Sequence, residues 1–319
     1  MQKAHLRIRR ARAGAVENYQ ESAAGPVAFT WSSFAQDQKY HLALQPMEAS
    51  EAPPFYYQNE PPHSLPKEQY MKALENTIAT IQKQGWGKVV LSRAQFVPQP
   101  QNPKQLFKKL CQAYPQLTVY LFSHPKVGTW CGATPETLLE KEGTSLKTMS
   151  LAGTRKVGST QDFSAKEYHE QRLVTEFIEQ TLQASPGIST VEKGEVEEVQ
   201  AAQVLHLQTK LQAQINDSFA MQDLLEKLHP TPAVSGLPRQ EALEYIQQTE
   251  GYSRGFYAGY FGLSQQQAAH YWVNLRCMQL FKNGFSLYAG GGITAQSHAL
   301  SEWHETEAKM ETLLSVVNR

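Results

Sequence analysis

Two glutamates stand at the front of AKEYHEQRLV, a segment that begins at Ala165 and has the residue spacing of a helix. Glu167 and Glu170 are three residues apart, and further helical steps lead from them to Val174 and Phe177. Both carboxylates are therefore predicted to lie on the buried side of the helix. Burying ionised carboxylates is unfavourable unless a cation or hydrogen-bond donors compensate their charge. The pair is thus a candidate site for cation binding.

A second pair of glutamates occurs near the C-terminus, in SEWHETEAKM. Glu302 and Glu305 are also three residues apart, and the next helical steps reach Lys309 and Leu313. Two such pairs on separate helices could direct four carboxylates to one point, where their mutual repulsion requires a cation. Oxygen ligands without a His or Cys cluster favour Mg²⁺ over zinc. The alternative for each pair is a solvated helix face, with Glu305 and Lys309 as an ordinary surface ion pair.

Alternating and helical patterns predict the elements that must position these acids. Helices are predicted at about 66–84, after Asn102-Pro103, at about 164–184, in LPRQEALEYIQQTE and at about 301–317. Strands are predicted in the first sixty residues and in KVVLSRAQFV, LTVYLFSH, TWCGATPETLLEKEGTSLKTMSLAG, EEVQAAQVLHLQTKLQAQI, GFYAGYFGL, YWVNLRCMQLF and GFSLYAGGGI. Runs of strands interrupted by isolated helices indicate an α+β fold, with large, mostly antiparallel sheets flanked by helices.

No repeat, low-complexity tract or flexible linker divides the sequence. We therefore predict a single domain over residues 1–319, in which the N-terminal strands and helix of residues 1–85 pack on the same body as the rest.

The chain has 30 basic and 30 acidic residues and no formal net charge, which does not suggest a nucleic-acid partner. No apolar stretch is long enough to span a membrane. The scattered cysteines Cys111, Cys131 and Cys277 suggest reduced thiols in a cytoplasmic protein, which we expect to be a monomer.

Nine short segments occur in a fixed order from about residue 86 to the C-terminus: KVVLSR, TPETLLE, LAGTR, KEYHE, LHPTPAVSGLP, RGFYAGYFG, NLR, AGGGI and SEWHETEAK. Together they resemble the chorismate-utilising enzymes, a family that includes isochorismate synthase, salicylate synthase and the large subunits of anthranilate and aminodeoxychorismate synthases. The resemblance implies a fold like that of anthranilate synthase component I and a Mg²⁺ ion that binds a carboxylate of chorismate. It also implies that Glu170 and Glu305 are direct metal ligands, supported by Glu167 and Glu302.

The resemblance implies an acid and a base as well. Replacing the C4 hydroxyl of chorismate requires an acid at the leaving oxygen and, if water is the nucleophile, a base at the attacking oxygen. Lys88 in GKVVLSR matches the family's base, and Glu136 in ATPETLLE matches the general acid. A lysine acts as a base only if burial or nearby positive charge lowers its pKa. Without the resemblance, Lys88 would be interpreted as a strand-end lysine in solvent and Glu136 as a turn carboxylate.

The remaining matched positions are implied to bind the substrate, and they fall into four groups. Ala152, Gly153 and Thr154 in SLAGTR would line the ring pocket, and His206 would lie near the C4 hydroxyl. Tyr257 and Arg276 would bind the enolpyruvyl carboxylate, for which the planar guanidinium is well suited. Amides of Gly290, Gly291 and Gly292 would contact the same carboxylate. Lys309 would balance charge beside the metal and the substrate.

Two positions favour water over ammonia as the nucleophile. In the ammonia-using relatives the position of Lys88 is typically glutamine, and in aminodeoxychorismate synthases the position of Ala152 is typically a lysine that attacks the ring. We therefore predict an isochorismate synthase, an isomerase that needs no glutaminase partner. Salicylate synthesis, an ammonia-using synthase subunit and a non-catalytic binding protein remain alternatives, although a binding protein needs no acid and base. Both menaquinone and siderophore biosynthesis are open as pathways.

Overall fold

The computed structural model describes residues 2–48, 54–158, 162–201 and 204–318. Its strands are β1 His5–Arg9, β2 Glu17–Glu21, β3 Val27–Ser32, β4 Lys39–Pro46, β5 Lys88–Val97, β6 Thr118–His124, β7 Gly128–Thr134, β8 Thr137–Glu142, β9 Ser145–Lys156, β10 Ile188–Ala201, β11 Val204–Ile215, β12 Gly236–Leu237, β13 Tyr260–Gln265, β14 Ala268–Val273, β15 Cys277–Phe281 and β16 Gly284–Ile293. Its helices are α1 Lys67–Gln84, α2 Pro103–Ala113, α3 Ala165–Gln183, α4 Met221–Leu228, α5 Arg239–Thr249 and α6 Ala299–Val317.

The strands are hydrogen-bonded into a continuous sheet in the order β10-β11-β9-β8-β14-β13-β3-β4-β2-β1-β6-β7-β15-β16-β5-β12. Every pairing between neighbouring strands in this order is antiparallel. Helices pack on the sheet, with α3 against β9 and α6 against β16. The predicted α+β class with a mostly antiparallel sheet is therefore confirmed.

The two helices that carry the glutamate pairs begin differently. Helix α3 starts with a capping box: the Ser164 side chain accepts the backbone N–H of Lys166, and the Glu167 carboxylate accepts the backbone N–H of Ser164. Helix α6 begins after His298 without a side-chain cap. Both helices lie where the sequence placed them. Each buries one carboxylate, because Glu170 and Glu302 are buried. The prediction that Glu167 is buried as well is wrong, since its side chain caps the start of α3 and is only partly buried.

Two segments that the sequence predicted as single strands are divided in the structure. EEVQAAQVLHLQTKLQAQI belongs to an antiparallel pair, β10 and β11, rather than to one strand. YWVNLRCMQLF is divided between β14 and β15, because the chain leaves extended geometry at Arg276, where φ is 47°. A run of alternating apolar residues cannot show such a break, since the apolar pattern continues on both sides of it. The break matters because Arg276 is a predicted site residue.

Helix α4 was not predicted from the sequence. Its eight residues, Met221–Leu228, bury Leu224, Leu225 and Leu228 against the large hydrophobic core. A two-turn helix supplies too few periodic positions to stand out from a loop. No helix in the described part of the chain is long and apolar enough to cross a membrane.

Candidate active site

The carboxylates of the two glutamate pairs approach one short stretch of backbone in β16. A Cβ atom placed on Gly292 would lie 2.1 Å from Glu170 Oε1, a separation that no real side chain allows. At Gly291 a Cβ would lie 3.1 Å from Glu302 Oε2 and 3.8 Å from Glu305 Oε1. Glycine is therefore required at Gly292 so that the Glu170 carboxylate can reach the backbone. Helices α3 and α6, which are distant in sequence, thus present three carboxylates to the same strand.

Each of these three carboxylates is paired with a lysine. Lys88 Nζ donates to Glu170 Oε1 over 2.7 Å, and Lys166 Nζ donates to Glu302 Oε1 over 2.6 Å. The third pair lies within α6, between residues four positions apart. The Lys309 ammonium lies 2.6 Å from Glu305 Oε1 and also donates to the carbonyl of Gly290 over 2.8 Å. Charge balance is the role that was predicted for Lys309. The acids are thus compensated by three cations of the chain itself.

Glu167 lies at the edge of this arrangement. Its Oε2 accepts the backbone N–H of Ser164 over 2.8 Å, so the carboxylate caps α3. It is not among the residues that line the cavity next to Glu170 and Glu305. Its predicted support of a metal ion remains a prediction, whereas its contribution to the helix start follows from the geometry.

Glu136 is the most deeply buried acid that lines the cavity, with 2% of its surface exposed. It lies between β7 and β8, at the turn that Pro135 predicted. Burial raises the pKa of its carboxyl group from 4.5 to about 8, although Lys88, Arg276 and Lys309 each act to lower it. The carboxyl group therefore carries a proton at neutral pH. This is the protonation state that a general acid needs before it acts.

His206 is held by protein atoms on both sides of its ring. Its Nδ1 lies 2.7 Å from the carbonyl oxygen of Gly153, which can only accept, so Nδ1 carries the proton. Nε2 then accepts from Arg276 Nη2 over 3.1 Å. Burial and the charges of Arg276 and Lys309 lower the pKa of His206 to about 3, which keeps the ring neutral. The histidine lines the cavity and also contacts Arg276, the arginine predicted to bind a carboxylate.

A β-bulge between β9 and β11 creates the contact between His206 and Gly153. Leu205 pairs with Arg155 and Leu207 with Ala152, so two residues of β9 face one residue of β11. Gly153 has a φ of 65°, a value that favours glycine. Its neighbour in the bulge, Thr154, lines the cavity too, with Oγ1 3.4 Å from His206 Nδ1.

The other predicted substrate-binding residues surround the same cavity with one exception. Arg276 lines it, and its buried Nε has no hydrogen-bond partner among the described residues. Such an unpaired donor is costly in isolation and suits an anionic ligand. Ala152, Tyr257, Gly290, Gly292 and Lys309 also line it. Gly291 is the exception: it lies in β16 and faces Glu302 instead.

Lys88 lies behind Glu170 rather than on the cavity surface. It is fully buried at the start of β5, and its Nζ contacts the Glu170 carboxylate that lines the cavity. The interpretation of Lys88 as a strand-end lysine in solvent is therefore wrong. Its role as the base remains a prediction.

The donor set around Gly291 and Gly292 fits Mg²⁺ in its chemistry. Glu170, Glu302 and Glu305 offer carboxylate oxygens there, the kind of ligand that Mg²⁺ prefers. Glu302 is only 1% exposed, and its Oε2 has no hydrogen-bond partner among the described residues, so it can still accept a cation. In the part of the chain that the structure describes, no three acidic, His or Cys side chains already converge as a complete metal site. Instead, the ammonium groups of three lysines form ion pairs with these carboxylates.

Comparison with known proteins identifies the family. The model of the chorismate binding enzyme family matches residues 31–318. The chain belongs to this family. The resemblance drawn from the nine segments is thereby confirmed, and it extends further toward the N-terminus than those segments did.

Several relatives of this chorismate binding enzyme are named isochorismate synthases. The chain is 31% identical over 268 residues to isochorismate synthase MenF of Bacillus subtilis, covering 79% of this chain and 56% of that protein. It is 30% identical over 270 residues to the vibriobactin-specific isochorismate synthase of Vibrio cholerae, covering 78% of this chain and 66% of that protein. The matches therefore span between about half and two thirds of the lengths of these relatives.

Solved structures share the fold of this chorismate binding enzyme. The menaquinone-specific isochorismate synthase MenF of Escherichia coli aligns with a TM-score of 0.83 and 21% identity, covering 98% of this chain and 88% of that one. Anthranilate synthase component I of Streptococcus pneumoniae aligns with a TM-score of 0.73 and 17% identity, covering 98% and 92%. The predicted fold like that of anthranilate synthase component I is therefore confirmed.

Sequence reasoning missed two charged residues of the site. Arg254 lines the cavity and is held by Glu250, which accepts its Nε over 2.8 Å and also the backbone N–H of Ser92 over 2.6 Å. Glu250 and Arg254 are four residues apart, a spacing that usually indicates an exposed pair. Lys166 is the second missed residue. Its position directly before Glu167, in the first turn of an acidic helix, was the available signal.

Proposed function

We propose that this chorismate binding enzyme is an isochorismate synthase, which adds water at C2 of chorismate and removes the C4 hydroxyl. The observation that carries the proposal is Glu136, an acid that burial keeps protonated in the same cavity as Arg276 and the carboxylates of Glu170 and Glu305. A protonated acid is required to release hydroxide as water. The names of the relatives support the same activity.

The base for the attacking water would be Lys88. Its side chain is completely buried at the start of β5, and its Nζ lies 2.7 Å from Glu170 Oε1, beside the cavity that Glu170 lines. A general base must lie within reach of the proton that it removes, directly or through one water molecule. Ala152 lines the cavity, and its small side chain would leave space beside a bound ring for a water nucleophile.

Arg276 and Tyr257 would bind the enolpyruvyl carboxylate. The unpaired Nε of Arg276 and its neighbouring amino group offer the two parallel donors that a carboxylate accepts. Neutral His206 holds the other side of the guanidinium, because Nη2 donates to its Nε2. His206 is thus suited to orient Arg276, in addition to its predicted proximity to the C4 hydroxyl.

Glu170 and Glu305 would hold Mg²⁺, supported by Glu167 and Glu302. The ion would neutralise these acids and bind the ring carboxylate of chorismate. The chain's own cations, Lys88, Lys166 and Lys309, balance the acids before the ion binds. No glutaminase partner is needed if water is the nucleophile, and we propose that the enzyme acts alone, as a monomer in the cytoplasm.

The test is an incubation of the purified protein with chorismate and Mg²⁺ in water enriched in ¹⁸O. Isochorismate has the same mass as chorismate, so an unlabelled product would be ambiguous. Water attack at C2 is expected to give isochorismate that is two mass units heavier, with proton magnetic resonance locating the new hydroxyl at C2. The parallel incubation contains ammonium chloride without any partner protein.

Each alternative activity has a distinct result in this experiment. Labelled salicylate together with pyruvate would show that the enzyme goes on to eliminate the enolpyruvyl group. A product that forms only with ammonium and is one mass unit lighter than chorismate would place the chain among the ammonia-using synthases. Binding of chorismate without any conversion would contradict the enzymatic proposal altogether.

A further inference from the structure

Lys166 is a cation in the acidic site to which the function proposed above assigns charge balance but no part in the reaction. Its Nζ lies 2.6 Å from Glu302 Oε1, and Glu302 is almost completely buried on α6. The contact therefore links α3 to α6 across the point where the glutamate pairs meet. Glu305 and Glu170 also attract the Lys166 ammonium electrostatically. One lysine thus lies in the field of all three carboxylates.

The position of Lys166 is unfavourable for a lysine unless the acids require it. It is the second residue of α3, where the positive end of the helix dipole repels a cation. Acidic residues are preferred there, and Glu167 next to it follows that preference. The attraction of Glu302 must therefore exceed the repulsion by the helix terminus. This arrangement indicates a role tied to the acidic site rather than to the stability of the helix.

Among the three lysines that hold the carboxylates, Lys166 is the one that can leave most easily. The side chain of Lys88 is completely buried, and Lys309 is anchored by a second bond to the carbonyl of Gly290. The side chain of Lys166 is 21% exposed, and Glu302 is its only hydrogen-bond acceptor in the described part of the chain. If the Lys166 ammonium moves into solvent, Glu302 is the one described acceptor that it leaves.

We propose that Lys166 is an exchangeable counter-cation, which neutralises the acidic site in the absence of metal and opposes the binding of Mg²⁺ there. This inference rests on the proposed Mg²⁺ site. Glu302 Oε2, buried and without a partner among the described residues, is the atom at which a second cation can be accepted. Lys166 acts on the metal through charge, so it is a positioning residue that sets metal affinity, not a catalytic residue.

The experiment measures Mg²⁺ binding by calorimetry on the full chain without substrate, in wild type, Lys166→Met, Lys166→Arg and a control. Lys193→Met is a matched control, since Lys193 Nζ pairs with Glu179 of the same helix over 2.7 Å, away from the cavity. Removing the positive charge that pairs with Glu302 is expected to tighten Mg²⁺ binding about tenfold in Lys166→Met. Lys166→Arg and Lys193→Met should bind within about twofold of wild type.

A second measurement separates exchange from simple repulsion. After treatment with EDTA, Lys166→Met should unfold at a lower temperature than wild type, because buried Glu302 has lost its partner. Saturating Mg²⁺ should remove this difference, since the ion replaces the missing charge. Lys193→Met should show no such metal-dependent recovery.

Unchanged or weaker Mg²⁺ binding by Lys166→Met would overturn the inference, and so would equal tightening in Lys166→Arg. If this happens while wild type binds Mg²⁺ and forms labelled isochorismate, the proposed function stands and only the role of Lys166 is wrong. If wild type itself does not bind Mg²⁺, the proposed metal site fails together with the inference.

Discussion

Lys88 Nζ and Glu170 Oε1 lie 2.7 Å apart in a buried ion pair between β5 and α3. The residue proposed as the base therefore contacts a residue proposed as a metal ligand. Replacing either residue therefore also removes the ion-pair partner of the other.

Replacing Lys88 tests the base directly. Lys88→Gln should lower kcat by about a hundredfold or more, the range that a general base supplies. Chorismate binding should persist, because Arg276 and the acidic site remain, and a dissociation constant from calorimetry would show this. Lys72→Gln, at an exposed ion pair on α1, is the control. A Lys88→Gln enzyme with more than a tenth of wild-type turnover would rule out the role.

Replacing Glu305 tests the acidic site. Glu305→Gln should raise the Mg²⁺ concentration needed for half-maximal activity about tenfold or more, because one negative ligand is lost. Circular dichroism should be unchanged, since the side chain lies at the cavity and not in the hydrophobic core. Glu307→Gln, exposed on the same helix, should behave like wild type. Equal Mg²⁺ dependence in both variants would contradict the assignment.

The pKa of Glu136 predicts how activity depends on pH. Because burial raises this pKa to about 8 and the protonated form is the active one, kcat/KM should fall about tenfold per unit above pH 8. Glu136→Gln should be nearly inactive at every pH. A wild-type profile that stays flat to pH 9.5 would mean that another group is the acid.

The same group predicts a trend in stability. The folded protein keeps a proton on Glu136 up to about pH 8, whereas the unfolded chain loses it near the ordinary value of 4.5. The unfolded state therefore binds fewer protons between these values, so the free energy of unfolding should decrease as pH rises through this window. In Glu136→Gln this part of the decrease should disappear. Urea unfolding of both proteins at pH 5 and pH 8 measures the difference.

Replacing Arg276 tests substrate recognition. Arg276→Lys keeps the charge but loses the planar pair of donors, and should weaken chorismate binding about tenfold or more. The exposed Arg172→Lys on α3 provides the control. Calorimetry without turnover separates this effect from catalysis. Unchanged affinity would show that the carboxylate is bound elsewhere.

Limited proteolysis tests the prediction of one domain. The proposed site draws on residues from Lys88 to Lys309, so a cut within this range should not yield two separately stable halves. Chymotrypsin digestion, followed by mass spectrometry and thermal unfolding of the fragments, measures this. Two cooperatively folding fragments from within 86–319 would contradict the prediction.

Local patterns were sufficient to predict much of the fold. The bounds of α1, α3 and α6 follow from apolar spacing within a single helix, and Asn102 marked the start of α2 because its side chain caps that helix. The inward direction of Glu170 and Glu302 was also evident from spacing, because a residue's face depends on its own helix alone. The family resemblance added the proposed chemistry of Lys88 and Glu136, which their neighbours in sequence do not reveal.

Only the tertiary structure decided which charges meet. The partners Lys88 and Glu170, or Lys166 and Glu302, come from different elements, and no periodic pattern relates residues 82 or 136 positions apart. The break at Arg276 and the bulge at Gly153 were likewise hidden, because both depend on pairing with another strand. The burial that raises the pKa of Glu136 depends on the whole cavity around it. Sequence spacing determines the face on which a side chain lies, whereas its electrostatic environment arises from distant segments that packing brings together.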